Sequence, residues 1–524
     1  MKGEVKRFVL AIVCVLALAY TGSSFAQGQI SSTDVFVENG PGADNARIQR
    51  AINSARGEPI TIRLSPGTPE AGTCYSIAGP IDPASNVTID SADAAKRWCM
   101  QRATPPATKN SRELPWFRVE RNAVDNFTLR NAELYGRGPG DVSFEEQRAY
   151  VDFGVLYDPS PKDYTPDEPA TYARNLRLEN VRFDHFYGVC VFLRHLNGVT
   201  MRNVDCIDPT KGGLIFAYGV VDGKVSDIRS TITGDDAMAM TSCHSTNRSI
   251  CSTTENISVD DALLTMETTE ASGAPLAIRG AHDITVTDSF VGPGGGPSSV
   301  VISHSTEAAH RYHSQDIRVA NSKLRRAVDV DGVRVVDEGA SNIQIVENSI
   351  DYTPPRCGIR LSSLTPATAV TSSGNTCLGT AQNDQIAGSD LDDLINSRAG
   401  EDSVEGRGGL DTLEGRRGPD NLVGDGANDS SLDGEDTMIG NDGPDTLSGE
   451  GSNNRYFGGL GQDSIDASHN LANAGTEVVF GGRGNDTIVA DDGIHDEIHC
   501  GKGADDYVDS DASDIVSDGC ETIR

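Results

Sequence analysis

Two adjacent aspartates, Asp235 and Asp236, stand in the segment STITGDDAMAM. Paired carboxyl groups can act as general acid and general base, because crowding raises the pKa of one of them enough to keep its proton. Inverting hydrolysis of a glycosidic bond uses two such groups, about 6.5 to 9.5 Å apart, with a water molecule between them. An aspartate that precedes a strand also satisfies turn amides, so a purely structural role stays open for either residue.

Basic side chains recur in the strand-like segments that surround this pair. Arg279, His304 and Arg334 stand in PLAIRG, VVISHS and GVRVVD, and Lys211 precedes the similar segment GLIFAY. Because strand side chains alternate between two faces, we expect these four on the exterior when the apolar residues point inward. Such a basic strip suits an anionic polymer, for example a uronic acid polysaccharide. The alternatives are a solvated arginine at 334 and an exposed histidine at 304.

A nonapeptide repeat begins near Gly379 and runs toward the C-terminus, with units such as GTAQNDQIA and GRGGLDTLE. An apolar residue follows most of its aspartates by two positions, and glycines precede them by two and by five. Glycine permits tight turns with positive φ, and carboxylates are hard oxygen ligands suited to Ca²⁺. We therefore predict stacked turns that share calcium ions and that repel one another without them. The predicted metal ligands are Asp384, Asp393, Asp402, Asp411, Asp420, Asp429, Asp436, Asp445, Asp463 and Asp486.

This segment resembles the RTX, or hemolysin-type, calcium-binding repeat, and GGRGNDTIV at Gly481–Val489 is the best-matching unit. The resemblance implies a parallel β-roll that binds Ca²⁺. Asn454 stands where an aspartate is expected, and 467–479 interrupts the phase, which weakens the expectation of bound ions there. Extracellular repeats of this kind bind Ca²⁺ at about 10⁻⁴ to 10⁻³ M, so we expect the roll to fold after export. A disordered acidic tail is the alternative.

A second repeat, of longer period, covers roughly 86–350. A phrase of Asn or Asp followed by alternating apolar and polar residues recurs as NVTIDS, NFTLRN, NLRLEN, NISVDD, DITVTD, DIRVAN and NIQIVE. Evenly spaced strands without intervening helices predict a solenoid of stacked parallel strands. Upstream, Ile48, Ala51, Ile52 and Ala55 fall on one helical face, which predicts a short helix that covers the open end of the stack. A β-sandwich is the competing fold.

The helix, the PGT turn and the Asn-led strands together resemble the right-handed parallel β-helix of the pectin-lyase superfamily. The expected fold class is therefore all-β, with a right-handed parallel β-helix followed by a calcium-binding parallel β-roll. STITGDDAMAM is also similar to the G-D-D segment of the polygalacturonases, which are glycoside hydrolases with this fold. That resemblance implies Asp235 as general acid and Asp236 as a base. That family also uses a third aspartate as a base, one turn earlier in an N-T-D-G segment. This chain has PTKG at 209–212, so Lys211 stands in place of that aspartate, and Asp208 is a candidate substitute base.

Three functions stay open from the sequence. Hydrolysis of an anionic polysaccharide by the aspartate pair is slightly favoured. β-Elimination is the second, with Lys211 or Arg279 as base and Ca²⁺ held by Asp235 and Asp236. The third is a non-catalytic secreted protein that binds a glycan or coats a surface. An orthodox polygalacturonase is disfavoured, because Lys211 replaces an acidic residue of that family and two further segments of its pattern are replaced by SGA at 272–274 and VIS at 301–303.

The N-terminus is typical of an export signal, because Lys2, Lys6 and Arg7 precede an apolar run that ends near a small-residue cleavage site. We expect a signal peptide at 1–26, a β-helix domain with its capping helix at 27–378, and the repeat domain at 379–524. No later stretch is apolar enough to span a bilayer, so the expected product is secreted and not membrane-spanning.

Composition supports an extracellular location. Apart from Cys14 in the predicted signal, ten cysteines remain and favour disulfides over metal thiolates. Nearest-neighbour pairing is one interpretation of their order along the chain. It gives the couples Cys74/Cys99, Cys190/Cys206, Cys243/Cys251, Cys357/Cys377 and Cys500/Cys520. The net charge of −33 excludes nucleic acid as an expected partner, since binding it needs clustered Lys and Arg.

Overall fold

The computed structural model describes most of the chain between residues 33 and 524. The described ranges are 33–40, 44–102, 117–118, 124–136, 149–153, 173–184, 188–209, 212–232, 234–242, 252–266, 273–293, 298–305, 312–325, 331–351, 359–361, 365, 370–373, 375–388, 391–425, 434–449, 451, 453–468, 475–517 and 519–524. Outside them lie the predicted export signal, Lys211 and Asp429, together with Cys243, Cys251 and Cys357.

Parallel strands dominate the described residues and form one 32-stranded sheet and one 8-stranded sheet. The single helix of these ranges, α1 (Asn45–Ser54), buries Ile48, Ala51 and Ile52 against the first strands, as predicted. The strands up to the start of the repeats are β1 (Asp34–Val37), β2 (Ile60–Leu64), β3 (Tyr75–Ile77), β4 (Val87–Ser91), β5 (Trp98–Arg102), β6 (Phe117–Arg118), β7 (Asp125–Tyr135), β8 (Ala149–Phe153), β9 (Ala173–Asp184), β10 (Val189–Ile207), β11 (Gly212–Ile232), β12 (Met238–Thr241), β13 (Glu255–Met266), β14 (Leu276–Arg279), β15 (His282–Thr287), β16 (Phe290–Val291), β17 (Ser298–Ser303), β18 (Gln315–Ala320), β19 (Lys323–Leu324), β20 (Asp331–Val336), β21 (Ser341–Val346), β22 (Ser349–Asp351), β23 (Ile359–Leu361), β24 (Val370–Ser373) and β25 (Thr376–Leu378).

These strands form a parallel β-helix with three faces. The first face contains β15, β18, β21 and β24, and the second contains β16, β19, β22 and β25. The third face contains β12, β14, β17, β20 and β23, stacked in that order on the start of β11. Longer strands pass through the corners, so β11 pairs with β12 on the third face and with β13 on the other two.

The core lies inside this coil. On the third face the apolar column Leu214, Met238, Leu276, Val300 and Val333 is stacked in register and completely buried. Alternate residues of each strand point outward, because successive side chains of a strand lie on opposite faces. The predicted inward residues of this face are therefore confirmed, and the outward neighbours form its external surface.

Asparagine and aspartate begin so many strands because of the backbone conformation at the corners. Asn126, Asn131, Asn175 and Asn180 all adopt left-handed φ values between 51° and 59°. Asn and Asp tolerate this region better than other residues with a Cβ atom. Side-chain amides also join successive turns, as in the hydrogen bond from Asn175 to Asn126, at 3.0 Å. The recurrent phrase of the longer repeat is thus a corner followed by a strand.

The repeat region continues the coil with two strands per turn. Its strands are β26 (Gln385–Ala387), β27 (Leu394–Asn396), β28 (Ser403–Glu405), β29 (Thr412–Arg417), β30 (Asn421–Val423), β31 (Thr437–Asp442), β32 (Thr446–Ser448), β33 (Arg455–Leu460), β34 (Ser464–Asp466), β35 (Val478–Arg483), β36 (Thr487–Ala490), β37 (Glu497–Lys502), β38 (Tyr507–Ser510), β39 (Ile515–Val516) and β40 (Thr522–Ile523). The even-numbered strands form the 8-stranded sheet, and the odd-numbered ones extend the large sheet. Each strand from β26 to β38 places one apolar residue in a narrow core, for example Leu413 and Leu422. This is the predicted parallel β-roll.

The β-helix and the roll share a sheet. Strand β25 of the β-helix pairs in parallel with β27 of the roll, with Cys377 in register with Ile395. The second face of the β-helix therefore passes into the roll without a break in hydrogen bonding.

No helix in the described ranges is both long and apolar enough to cross a membrane.

Three of the predicted disulfides are present: Cys74–Cys99, Cys190–Cys206 and Cys500–Cys520. Cys377 is also disulfide-bonded. The remaining couple, at 243 and 251, lies outside the described residues.

Candidate functional site

The repeat aspartates form two hydrogen-bonded ladders, one beside each sheet of the roll. In the first ladder, Oδ1 of Asp402 accepts the backbone N–H of Asp384 at 2.8 Å, and Oδ1 of Asp420 accepts that of Asp402 at 3.0 Å. In the second ladder, Oδ1 of Asp411 accepts the N–H of Asp393 at 2.7 Å. Each carboxylate thus uses one oxygen to hold the turn before it. We call these two rows the aspartate ladders.

The second oxygen of these carboxylates faces a different environment. For the following residues Oδ2 is buried and accepts no hydrogen bond from the described residues: Asp402, Asp411, Asp420, Asp445, Asp463 and Asp486. A buried charged oxygen without a donor is costly unless a cation lies beside it. Several such oxygens, stacked turn upon turn, are the donor set that Ca²⁺ prefers. The ladder residues therefore fit the ion that the sequence predicts.

Glycine is required next to these oxygens. A Cβ atom at Gly406 would overlap Oδ2 of Asp411, and one at Gly415 would overlap Oδ2 of Asp420. These are the glycines that precede an aspartate by five positions. Their absent side chains leave the room in which an ion can reach the carboxylate, which explains why glycine recurs at this position.

Burial also controls the protonation of the ladders. Burial, together with the charges of Asp393 and Asp436, raises the pKa of Asp411 to about 10. Burial raises the pKa of Asp445 to about 7, with smaller contributions from neighbouring carboxylates. Desolvation makes the charged form unfavourable, so a cation must replace the lost water before all these groups can ionise together.

The structure adds ladder members that the strict nonapeptide phase missed. Glu477 and Asp496 continue the second ladder, because Oε2 of Glu477 accepts the N–H of Asn454 at 2.6 Å and Oδ1 of Asp496 accepts that of Glu477 at 2.8 Å. Asp506 continues the first ladder, with Oδ1 at 2.9 Å from the N–H of Asp486. Each of the three is followed two positions later by a buried apolar residue, which is the spacing that the other ladder members show.

Asn454 keeps the ladder intact where the sequence suggested a defect. Its Oδ1 accepts the N–H of Asp436 at 2.8 Å, which is the hydrogen bond that an aspartate would make. Asparagine supplies one neutral oxygen and one amide donor, so it preserves the turn and lowers the local negative charge.

The aspartate pair lies at a corner between the second and third faces. Asp236 is 4% exposed and forms a bidentate ion pair with Arg279, at 2.6 Å from Nη1 to Oδ2 and 3.1 Å from Nη2 to Oδ1. Its Oδ1 also accepts the N–H of Ala274 at 2.9 Å. Burial alone would lower the pKa of Arg279, but the charge and hydrogen bonds of Asp236 outweigh it and raise the pKa.

Asp235 and Asp208 share that corner. Asp235 is exposed, and its backbone carbonyl lies so close to Gly273 that a Cβ atom there would overlap it. Asp208 is half-buried, has φ 53°, and follows the end of β10 one turn before the pair. The fold thus brings the three predicted carboxylates to the same corner of consecutive turns. Lys211 follows Asp208 in sequence but lies outside the described residues.

Three of the predicted basic residues, Arg279, His304 and Arg334, are described, and they share a face without forming a continuous strip. Arg279 is in register with Ser303, whereas Arg334 is in register with Val301, so the two arginines occupy neighbouring outward columns two turns apart. His304 follows the end of β17, with Nδ1 at 3.4 Å from Oε2 of an acidic residue, Glu338. The arginine at 279 is neutralised by Asp236. The sequence could not show these acidic partners, because they come from other turns of the coil.

Comparison with known families identifies the C-terminal units. A model of the RTX calcium-binding nonapeptide repeat matches in four copies, at 378–413, 405–430, 431–465 and 471–507. These units are RTX calcium-binding repeats. The match covers the aspartate ladders and confirms the resemblance drawn from the sequence.

Comparison with solved structures finds chains of low sequence identity. The A-module of a mannuronan C-5 epimerase from Azotobacter vinelandii is 12% identical with a TM-score of 0.41, and the alignment covers 91% of this chain and 96% of that one. The catalytic unit of an α-1,3-glucanase from Streptomyces thermodiastaticus is 13% identical with a TM-score of 0.40, covering 96% of this chain and 71% of that one. A sequence comparison with curated proteins gave no significant match. We assign no activity to this chain from these values.

Proposed function

We propose that this protein is a secreted calcium-binding protein whose β-helix acts on an anionic polysaccharide. The observation that carries the calcium part is the row of buried Oδ2 atoms in the aspartate ladders, which accept no hydrogen bond from the described residues. Carboxylates from successive turns would hold the ions, and bound Ca²⁺ would neutralise their mutual repulsion. Backbone N–H groups of the preceding turn donate to one oxygen of each carboxylate, and this hydrogen bond orients the other oxygen for the ion.

The corner that contains Asp235, Asp236 and Asp208 supports glycan hydrolysis. Asp235 is exposed and can donate a proton to a glycosidic oxygen. Asp208, one turn earlier, is half-buried and can activate water. Asp236 fixes the guanidinium of Arg279 at the same corner, and the N–H groups of Arg279 that Asp236 does not use can donate to a uronate carboxylate. In this scheme Asp236 has two roles: it positions Arg279, and it is the second candidate base beside Asp208.

The raised pKa of Arg279 disfavours this residue as the base of an elimination. A lyase mechanism would then depend on Lys211 as the proton acceptor. Hydrolysis therefore stays ahead of β-elimination, as the sequence suggested.

The decisive experiment incubates calcium-loaded protein with neutral and uronic polysaccharides, and follows reducing ends together with absorbance from unsaturated products. We expect reducing ends to appear without the absorbance, and to be lost in Asp235→Asn. A joint rise of both signals would establish a lyase. Asp261→Asn is a matched control, because this exposed aspartate lies on β13 outside the corner, and we expect it to retain cleavage.

A non-catalytic glycan-binding protein is the second candidate. The bidentate pair between Asp236 and Arg279 favours it, because both carboxylate oxygens are engaged in the folded chain. Inertness of the wild type on every polymer, with calcium-dependent co-sedimentation on one of them, would replace the enzymatic proposal by this one.

Calcium binding has its own test, which is independent of any glycan. Full-length protein is followed by circular dichroism while chelator is added and then titrated with Ca²⁺. We expect a gain of strand signal and of thermal stability on adding Ca²⁺. No change in either would remove the calcium assignment.

A further inference from the structure

A group of metal-ligating side chains lies on the β-helix, away from the aspartate ladders. His304 follows β17, and Asp337 and Glu338 follow β20, the next strand of the third face. One ligand atom from each of the three lies within 4.8 Å of the others. Two adjacent turns thus contribute a nitrogen and two carboxylate oxygens to one place.

Asp337 is held rigidly. Its side chain is completely buried, its Oδ2 accepts the N–H of Ser314 at 2.7 Å, and its Oδ1 accepts the N–H of Gly339 at 3.0 Å. The imidazole Nδ1 of His313 lies 2.5 Å from the same Oδ1. Gly339 is needed here, because a Cβ atom at this position would overlap the ring of His313. A buried carboxylate fixed by several partners is preorganised for a ligand and loses little freedom on binding one.

His304, in contrast to Asp337, is not held by hydrogen bonds from the described residues at its Nδ1 atom. Its side chain is 17% exposed, and its Nδ1 is buried and makes no hydrogen bond within the described residues. That nitrogen lies 3.4 Å from Oε2 of Glu338. A buried imidazole nitrogen that makes no hydrogen bond is unfavourable, so a metal ion at this position would relieve a cost that the folded chain carries.

We propose that His304, Asp337 and Glu338 bind a first-row transition-metal dication of the Zn²⁺ type. Imidazole nitrogen combined with carboxylate oxygen suits such ions, whereas the oxygen-only ladders suit Ca²⁺. Donor atoms that share one zinc ion lie at most about 4 Å apart, so the group closes by on the order of 1 Å when the ion enters. Side-chain rotation of His304 and Glu338 provides this movement, since Asp337 is fixed. His313 is a positioning residue, because it acts on the ion through Asp337.

The site extends the proposed function and does not depend on it. Calcium in the roll and cleavage of a glycan can both fail while this site binds zinc. Only a measurement of metal binding to the β-helix therefore tests this inference.

The test is calorimetric titration of the full-length protein with Zn²⁺ in a large excess of Ca²⁺, which saturates the ladders. We expect one zinc ion per chain, and an affinity at least about tenfold weaker in His304→Ala and in Glu338→Gln. His313→Gln should weaken binding about tenfold with the stoichiometry unchanged, because Asp337 loses its orientation. His499→Ala is the matched control: His499 forms a histidine–carboxylate pair with Glu497 at 2.9 Å, in the roll, and its loss should leave zinc affinity unchanged.

Circular dichroism of each variant shows whether it has folded, and Co²⁺ absorption provides a second measurement on the wild type. A visible Co²⁺ spectrum that is lost in Glu338→Gln supports the proposal even when His304→Ala fails to fold. Absence of zinc binding in excess Ca²⁺ overturns it, as does equal affinity in wild type and both ligand variants. Full suppression by Ca²⁺ of zinc binding seen without Ca²⁺ also overturns the assigned metal class.

Discussion

Charged side chains of the β-helix are paired across turns, and their roles depend on partners that are distant in sequence. Asp236 meets Arg279 43 residues later, with one bidentate contact that fixes both groups. The sequence could identify the aspartates, because two carboxylates at a strand entry are a local pattern. It could not identify the pairing, because that requires the register of β12 with β14. The same limit applies to His304 and Glu338.

Breaking the Asp236–Arg279 pair should destabilise the β-helix. Asp236→Asn leaves a mostly buried guanidinium without its counter-charge, so we expect the free energy of unfolding to fall by about 2 to 4 kcal/mol. Urea unfolding of the calcium-loaded protein measures this. The adjacent Asp235→Asn is the control, and because Asp235 is exposed it should change stability by less than about 0.5 kcal/mol. Equal stability of both variants would contradict the structural importance of the pair.

His195 should make the β-helix sensitive to acid. Burial, with a smaller effect from Arg194, lowers the pKa of His195 to about 4. The unfolded chain then binds more protons than the folded chain between this value and the ordinary pKa near 6.5, so stability is lost as pH falls through that window. The loss amounts to about 3 kcal/mol at most.

His195→Asn tests this pH dependence. Asparagine suits the backbone there, because His195 has φ 44° and asparagines occupy similar conformations at other corners. We expect the difference in unfolding free energy between pH 7 and pH 4.5 to be smaller in the variant. An unchanged difference would assign the acid sensitivity to other groups.

Strands were predictable where a repeat of fixed period is visible in the sequence. The strands of the roll follow the aspartate by one position and were located from phase alone. The β-helix strands followed from alternation and from the corner asparagines. Lengths were less predictable, since β10 and β11 run through corners without a break. Glu477 was missed because a longer carboxylate replaces aspartate after an interruption of the phase.

Glycine at the fifth position before an aspartate should be required for calcium binding. Gly415→Ala places a methyl group against Oδ2 of Asp420, so we expect the Ca²⁺ concentration at half-saturation to rise about tenfold. Gly449→Ala, in the same roll, is the control. Its Cβ atom would lie 3.2 Å from the flexible end of Met438, which can move aside. Calcium titrations followed by circular dichroism compare the two, and equal midpoints would contradict the steric argument.

The described residues of the chain form two solenoids that are joined through hydrogen bonds between β25 and β27. Each turn contacts its neighbours, so stability is transmitted along the axis from one turn to the next. Strand β27 of the roll covers β25, the last strand of the second face of the β-helix. Loss of the roll would leave that strand as an unpaired edge.

Removal of calcium should therefore loosen the adjacent end of the β-helix and leave the far end intact. Hydrogen exchange of the full-length protein, with Ca²⁺ or with chelator, measures this gradient. We expect amides of β25 (Thr376–Leu378) to lose protection in chelator, while those of β4 (Val87–Ser91) keep theirs. Uniform loss along the chain would indicate a single cooperative unit, and no loss at β25 would show that the two solenoids are uncoupled.

The ladders have a consequence for how such a chain can change in length. A ladder step spans 18 residues in regular turns and 19, 20, 23 or 25 where the chain is longer, yet at each of these steps a side-chain oxygen accepts a backbone N–H. A whole turn can thus be duplicated or deleted without altering the contacts of the turns on either side. Tandem duplication of an 18-residue unit should give a longer folded roll with additional bound ions, which makes the number of turns a variable on which selection can act.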